Sequence, residues 1–317
     1  MISIDDVERA ARTIAGRVHR TGFSRSATLS ERLGAEVFLK EELFQRTGSF
    51  KVRGALNRIA ELSGEERAHG VISISAGNHA QALAWAAREA GLDALVVMWQ
   101  GADESKVAAT RGYGAAVDQE APDPTQAFDR LDVLIAETGR TLVHPYNDPA
   151  VIAGQGTVGL EILEEREAPD VVVVPVGGGG LISGVATAVK ARYPEARVIG
   201  IEPETSTALH SALEAGRSVP VTPRSAADAL NAPFAGENSV EICRTLGVES
   251  VLVSEEELFD AFRWLYARTK FAAELGAAAS TAALLSGKVQ IEPGQTVVAV
   301  VSGGNIAAKQ AAAILDS

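Results

Sequence analysis

Six short apolar runs punctuate the chain, at residues 36–40 (EVFLK), 70–73 (GVIS), 94–98 (ALVVM), 170–176 (DVVVVPV), 197–201 (RVIGI) and 296–302 (TVVAVVS). Each is too short for a helix and too continuous for a strand with one wet face. Such runs belong to strands covered on both sides, which is the habit of parallel sheets. Parallel strands need crossovers. Ala-rich stretches with helical spacing supply them, as at residues 78–90 (NHAQALAWAAREA) and 181–192 (LISGVATAVKAR). Strand–helix alternation means an α/β architecture with right-handed connections.

Composition narrows the partners. The 317 residues suggest about two domains or one large α/β unit. Hydrophobic residues at 46% and charged residues at 22% exclude a disordered or fibrous chain. A formal charge of −12 repels phosphate backbones, so no nucleic acid partner is expected. The single cysteine, Cys243, permits no internal disulfide and no Cys-based zinc cluster. No run is long and apolar enough to span a membrane, and the first twenty residues are charged and helix-periodic rather than signal-like. A cytoplasmic protein without a membrane partner is expected. The most irregular stretch, residues 219–238, holds Pro220, Pro223, Pro233 and Gly236 and reads as a functional loop.

Ligands of open parallel sheets bind beyond the carboxyl ends of the strands. Gly177, Gly178, Gly179 and Gly180, followed by Leu181, join DVVVVPV to a helix. Their backbone N–H groups can approach an anion unobstructed, and the helix N-terminus adds positive potential. The spacing is a poor dinucleotide fingerprint, since the third glycine position falls on Ser183 or Ile182. Glu202 does end the next strand, where a ribose-binding acid would sit, so a nicotinamide-dependent oxidoreductase stays as an alternative. The sequence 75–79 (Ser75, Ala76, Gly77, Asn78, His79) follows the GVIS run. It either caps a helix or receives a carboxylate while Asn78 reaches a ring oxygen. Ser302, with Gly303, Gly304 and Asn305, ends the last run and opens a similar choice. Lys51, after Phe50 in TGSFKVRGA, sits at the start of an expected helix. There the dipole lowers an amine's pKa and favours a nucleophile. A Ser49/Lys51 hydrolase has no supporting signature.

Taken in order, KEELFQRTGSFKVRGA, SAGNHAQALA, HPYNDPAVIAGQGT, VGGGGLISG and VSGGN resemble the pyridoxal-phosphate enzymes of fold type II. Within these the chain is similar to the threonine/serine dehydratases (ammonia-lyases), with serine racemase as a relative. The resemblance implies a tryptophan synthase β-like fold: two open, twisted, mostly parallel sheets flanked by helices, with the active site between a large and a small domain. Residues 1–69 and 148–317 would form the large cofactor-binding domain and residues 70–147 a small mobile one. It further implies pyridoxal 5'-phosphate as cofactor, Lys51 as its Schiff-base lysine, Phe50 beside the ring and Asn78 on the ring hydroxyl. Gly177, Gly178, Gly179, Gly180 and Leu181 would hold the phosphate, and Ser302 would face the pyridine nitrogen. Ser75, Ala76, Gly77 and His79 would take the substrate carboxylate. The implied reaction removes water from a β-hydroxy-L-amino acid, threonine or serine first, giving a 2-oxo acid and ammonia. A homodimer or homotetramer is usual in the family.

Departures refine this. Serine racemases carry a serine where this chain has Ala76, so racemisation is not expected. Tyr146 stands where dehydratases have Phe. In residues 202–208 (EPETSTA), which match a cation-binding segment of some relatives, Ala208 replaces the expected acid, so no metal is expected. Trp99, Ala229 and the Glu274-Leu275-Gly276-Ala277 segment also depart from the pattern. They leave room for another β-hydroxy amino acid, of 3-hydroxyaspartate or phenylserine type. Neither Arg53 nor Asp228 is assigned a catalytic role.

Overall fold

The structure is a computed structural model that describes residues 1–316. Ten strands form two sheets: β1 (Phe23–Arg25), β2 (Glu36–Glu41), β3 (Val71–Ile74), β4 (Ala94–Trp99), β5 (Ala116–Ala121), β6 (Thr141–Leu142), β7 (Val171–Pro175), β8 (Arg197–Pro203), β9 (Glu249–Val253) and β10 (Thr296–Val301). The larger sheet has the order β1-β2-β10-β7-β8-β9 and the smaller β5-β4-β3-β6. All pairings are parallel except β1 with β2. The α/β fold with two mostly parallel sheets, expected from the sequence, is therefore the fold observed.

The six apolar runs are the six interior strands, β2, β3, β4, β7, β8 and β10. Strands β3, β7 and β10 are buried at every residue. The four strands the sequence did not announce, β1, β5, β6 and β9, are the four sheet edges. An edge strand has one neighbour and more water, so it carries polar residues and loses the continuous apolar signature. Strand β5 (AVDQEA) has a single buried residue.

Helices flank the sheets; Asn78–Glu89, Pro149–Glu165 and Gly180–Arg192 are buried for most of their length, whereas Glu104–Gly112 and Pro124–Thr138 bury only two and three residues. The helix Pro149–Glu165 buries thirteen residues and packs against Lys51–Ala60 and Gly180–Arg192. Its Asp148 cap accepts from the N–H groups of Ala150 and Val151 and also binds Arg58. Residues 219–236 contain one short 3-10 turn, Asp228–Leu230, and otherwise follow an irregular path, while residues 237–238 already begin the helix Glu237–Thr245. Hydrogen bonds of the loop to itself fix that path: Val221 N–H donates to Pro233 O (2.8 Å) and Asn231 Nδ2 to Ser225 O (2.8 Å). Among the described residues no helix is long and apolar enough to cross a membrane.

Candidate active site

The carboxyl ends of β3, β7 and β10 and the turn before Lys51 open onto one cavity of about 760 Å³. Phe50, Lys51, Ser75, Ala76, Gly77, Asn78, His79, Gly177, Gly178, Gly179, Gly180, Leu181 and Ser302 all line it. Segments from Phe50 to Ser302 are thus brought together because each lies at the same end of its sheet.

Lys51 is the first residue of the helix Lys51–Ala60. The turn before it is pinned to β10, with Phe50 N–H donating to Ser302 O (3.2 Å) and a β-bridge between Ser49 and Gly303. The Lys51 amine donates to Pro145 O (2.9 Å) and lies 5.3 Å from the Phe50 ring centre. Packed protein around Nζ desolvates the ammonium and lowers its pKa to about 8; the Glu274 carboxylate opposes that fall. Desolvation, rather than the helix dipole invoked from the sequence, is the main cause. Two residues on, Arg53 is fully buried and outside the cavity lining. Its guanidinium donates to both oxygens of Glu42 (2.8 and 2.7 Å) and to Glu161 (2.7 Å), and Lys40 also donates to Glu161 (2.5 Å). Two cations and two anions balance there, and the network anchors the start of the helix that carries Lys51.

The tetraglycine turn has room for nothing but backbone. A Cβ on Gly178 would lie 2.3–2.4 Å from the Tyr146 ring, and Gly179 has φ +92°, a conformation other residues rarely adopt. The helix Gly180–Arg192 begins with no side chain capping it. Its first N–H groups remain available to an anion.

Gly77 likewise starts the helix Asn78–Glu89 without a side-chain cap. Of the two readings offered by the sequence, a capping role for Ser75 or Asn78 is therefore not what forms; Ser75 Oγ instead accepts from Gly77 N–H (3.2 Å). His79 is buried and donates from Nε2 to Val143 O (3.0 Å), leaving the buried Nδ1 unpartnered. Burial, with Lys51 nearby, pushes its pKa down to about 3. His144 Nδ1 accepts from Asn147 N–H (2.9 Å), and burial lowers its pKa to about 4. Both imidazoles are neutral at pH 7, so neither adds a cation beside Lys51.

The structure also ties together residues that the sequence named only singly. Asn78 Nδ2 donates to Glu274 (2.7 Å), and Asn305 Nδ2 donates to Asn78 Oδ1 (2.8 Å) and Thr47 O (2.7 Å). Burial raises the Glu274 carboxyl to about 7. A lone acid in the apolar run FAAELGAAAS was the available signal for it. Lys106, from the helix Glu104–Gly112, pairs with Asp228 at the cavity wall. Phe128 and Phe234 line the same cavity; Phe234 lies in the 219–238 stretch read from the sequence as a functional loop, while Phe128 carried no sequence signal.

Among the described residues no cluster of three His, Cys, Asp or Glu side chains could hold a metal ion. Glu202 is occupied otherwise: its carboxylate accepts from Leu209 N–H (2.8 Å) and His210 N–H (2.7 Å). Cys243 is buried and its thiol is pushed up to about 12, which leaves it inert.

Comparison with known proteins places this geometry in a wider group. A family model described as pyridoxal-phosphate dependent enzyme matches residues 14–303. An L-threonine ammonia-lyase of Thermotoga maritima is 45% identical over 307 residues, covering 96% of this chain and 76% of that protein. The catabolic L-threonine dehydratase of Escherichia coli is 42% identical over 307 residues, covering 96% of this chain and 93% of that protein. The structure of maize serine racemase superposes with a TM-score of 0.93 at 35% identity, covering 97% of this chain and 94% of the other.

Proposed function

The chain belongs to the pyridoxal-phosphate dependent enzyme family, and on that premise we propose that it is an ammonia-lyase. It removes water from β-hydroxy-L-amino acids, threonine and serine among them, and yields a 2-oxo acid and ammonia. The observation that carries this reading is the Lys51 amine, desolvated at the cavity wall between two uncapped helix N-termini. The cavity suits the cofactor on its own terms. The four glycines leave a side-chain-free cradle for a phosphate, and the lowered amine suits a carbonyl partner.

When bound, the cofactor supplies a carbonyl that exchanges between amines and a conjugated ring that draws electron density from the substrate Cα. The chain supplies the rest. The N–H groups of the tetraglycine turn hold the phosphate, with no lysine or arginine in that turn to assist. Residues 75–79 would take the substrate carboxylate at the second helix start, where Ser75 N–H is committed to Val97 O and the uncapped first-turn N–H groups stay open. Lys51 would be the residue that holds the cofactor's carbonyl, and its amine, with a pKa lowered to about 8, would be the base placed to take the Cα proton. Asn78, held by Glu274 and Asn305, presents its remaining amide hydrogen to the ring oxygen. Ser302 offers the ring nitrogen a neutral hydroxyl, and a neutral partner favours expelling a β-leaving group over storing charge.

A racemase needs a proton donor on the face opposite Lys51, and Ala76 has no such group. A nicotinamide-dependent oxidoreductase would leave Lys51 without work. The reading extends to residues 70–147 closing over the substrate as a small domain, to a cytoplasmic location and to a homodimer or homotetramer. The Lys106–Asp228 pair joins the two sides of the cleft and supports such closure. The test is an assay of ammonia and 2-oxobutanoate from L-threonine with cofactor present. Equal amounts of both are expected. Formation of D-allo-threonine, the product of inversion at Cα alone, or of no product from any β-hydroxy amino acid, overturns the reading.

A further inference from the structure

We propose that the cleft favours β-hydroxy amino acids whose β-substituent is apolar and larger than a methyl group, an aryl group above all. This rests on the lyase reading and concerns which member of that class the same site takes.

Two ends of the substrate are fixed by the site. The carboxylate goes to residues 75–79 and the amino group is exchanged at Lys51. The proposal sends the β-substituent into the rest of the cavity, along the wall that continues from Tyr146 beside Gly178. That wall is aromatic. Phe234, from the irregular loop 219–236, lies 5.8 Å from Tyr146 and 6.3 Å from His144, centre to centre. Phe128, from the helix Pro124–Thr138 of the smaller sheet's layer, lies 6.4 Å from Phe234. Both phenylalanines are only half-buried while lining the cavity, so ring surface remains for a ligand. The wall's own rings pack tilted and edge-on at ordinary aromatic spacings, and a ligand ring would add to that cluster. A serine side chain would leave that surface unfilled.

Charge points the same way. The acids lining the cavity are Asp123, Asp228 and Glu274, and its amines are Lys51 and Lys106. Lys106 is committed to Asp228, and Lys51 to the chemistry. A second substrate carboxylate, as in 3-hydroxyaspartate, would meet acids without an uncommitted cation, which is costly in a partly dry cleft. Of the two departures from threonine that the sequence left room for, the structure supports the apolar one.

The experiment compares kcat/KM for L-threo-phenylserine, L-threonine, L-serine and L-threo-3-hydroxyaspartate on the cofactor-loaded protein. Phenylserine is expected to exceed threonine, and to exceed serine and hydroxyaspartate by about 10-fold or more, the scale on which apolar pockets discriminate; threonine ahead of phenylserine overturns the inference. Phe128→Ala should cut the phenylserine-to-serine ratio by about 10-fold, chiefly through KM, and Phe128→Leu should restore most of it. A merely structural role for Phe128 would depress all substrates together and leave the ratio unmoved. Calorimetry with non-reacting amino acids gives a second reading: L-phenylalanine should bind more tightly than L-aspartate. Turnover of threonine and serine without phenylserine, a preference for hydroxyaspartate, or an unmoved ratio in Phe128→Ala overturns the inference and leaves the lyase reading standing. Silence on all four substrates overturns both.

Discussion

The two walls of the cleft are built from different materials. The wall proposed for the cofactor is mostly backbone: uncapped N–H groups at residues 177–180, a pinned turn before Lys51 and the end of the buried strand β10. Apart from the backbone at residues 75–79, the wall proposed for the substrate is side chains, Trp99, Lys106 and Phe128 from the smaller sheet's layer and Asp228 and Phe234 from a long loop. Backbone geometry tolerates almost no substitution, while a wall of side chains can be exchanged residue by residue without disturbing the strands beneath. A fixed chemistry with adjustable specificity follows from that division.

The division makes unequal predictions for the two walls. Lys51→Ala should lower turnover of every substrate by about 10³-fold or more, since one group acts as nucleophile and base, while circular dichroism stays unchanged. A substrate-selective loss would break the comparison. Gly178→Ala forces a methyl group into the Tyr146 ring. Cofactor affinity, followed by absorbance titration, should fall by about 100-fold, equally whichever substrate is then assayed; strain of roughly 1–3 kcal/mol corresponds to that order.

Titration sharpens the contrast without any substrate. In the cofactor-free protein the folded Lys51 amine titrates near 8 instead of 10.5, so between those values the unfolded chain binds more protons. Stability should therefore gain a positive contribution as pH rises through that window, and Lys51→Ala should remove it. Glu274 has the opposite sign. Its folded carboxyl titrates near 7 instead of 4.5, so the folded state binds more protons between the two. Its contribution is full below 4.5 and declines as pH rises towards 7 and beyond, and Glu274→Gln should flatten that decline in urea unfolding curves. The smallest effect belongs to the substrate wall. Asp228→Asn releases Lys106, and relative kcat/KM for 3-hydroxyaspartate should rise by about 3- to 10-fold, as for one exposed charge contact. No change there would mean that Lys106 does not reach the substrate.

The same contrast explains what could be read from the sequence. The interior strands were legible because burial on both faces demands continuous apolar residues, as in VVVVP of β7. The edge strands β5 and β9 were not, because one side of each is free to be polar. Lys51, the tetraglycine turn and residues 75–79 stood out because each combines small residues with a chemistry-bearing group beside a strand or helix end. Phe128 and Phe234 could not be found that way. They are far apart in the chain and ordinary in their local context; only the fold makes them neighbours. Asn78, Glu274 and Asn305 form a hydrogen-bonded set that spans 227 positions, equally invisible locally. The resemblance of five ordered motifs supplied the cofactor, which no single cluster did.

Everything in the cleft is arranged around the claim that Lys51 carries the cofactor. The most direct test is borohydride reduction of the cofactor-loaded protein, followed by digestion and mass mapping of the labelled peptide. The account predicts one pyridoxyl group per chain, on Lys51, with none retained on Lys51→Ala. A label on Lys40, Lys106 or another lysine, or no label on a protein that binds the cofactor, would contradict it.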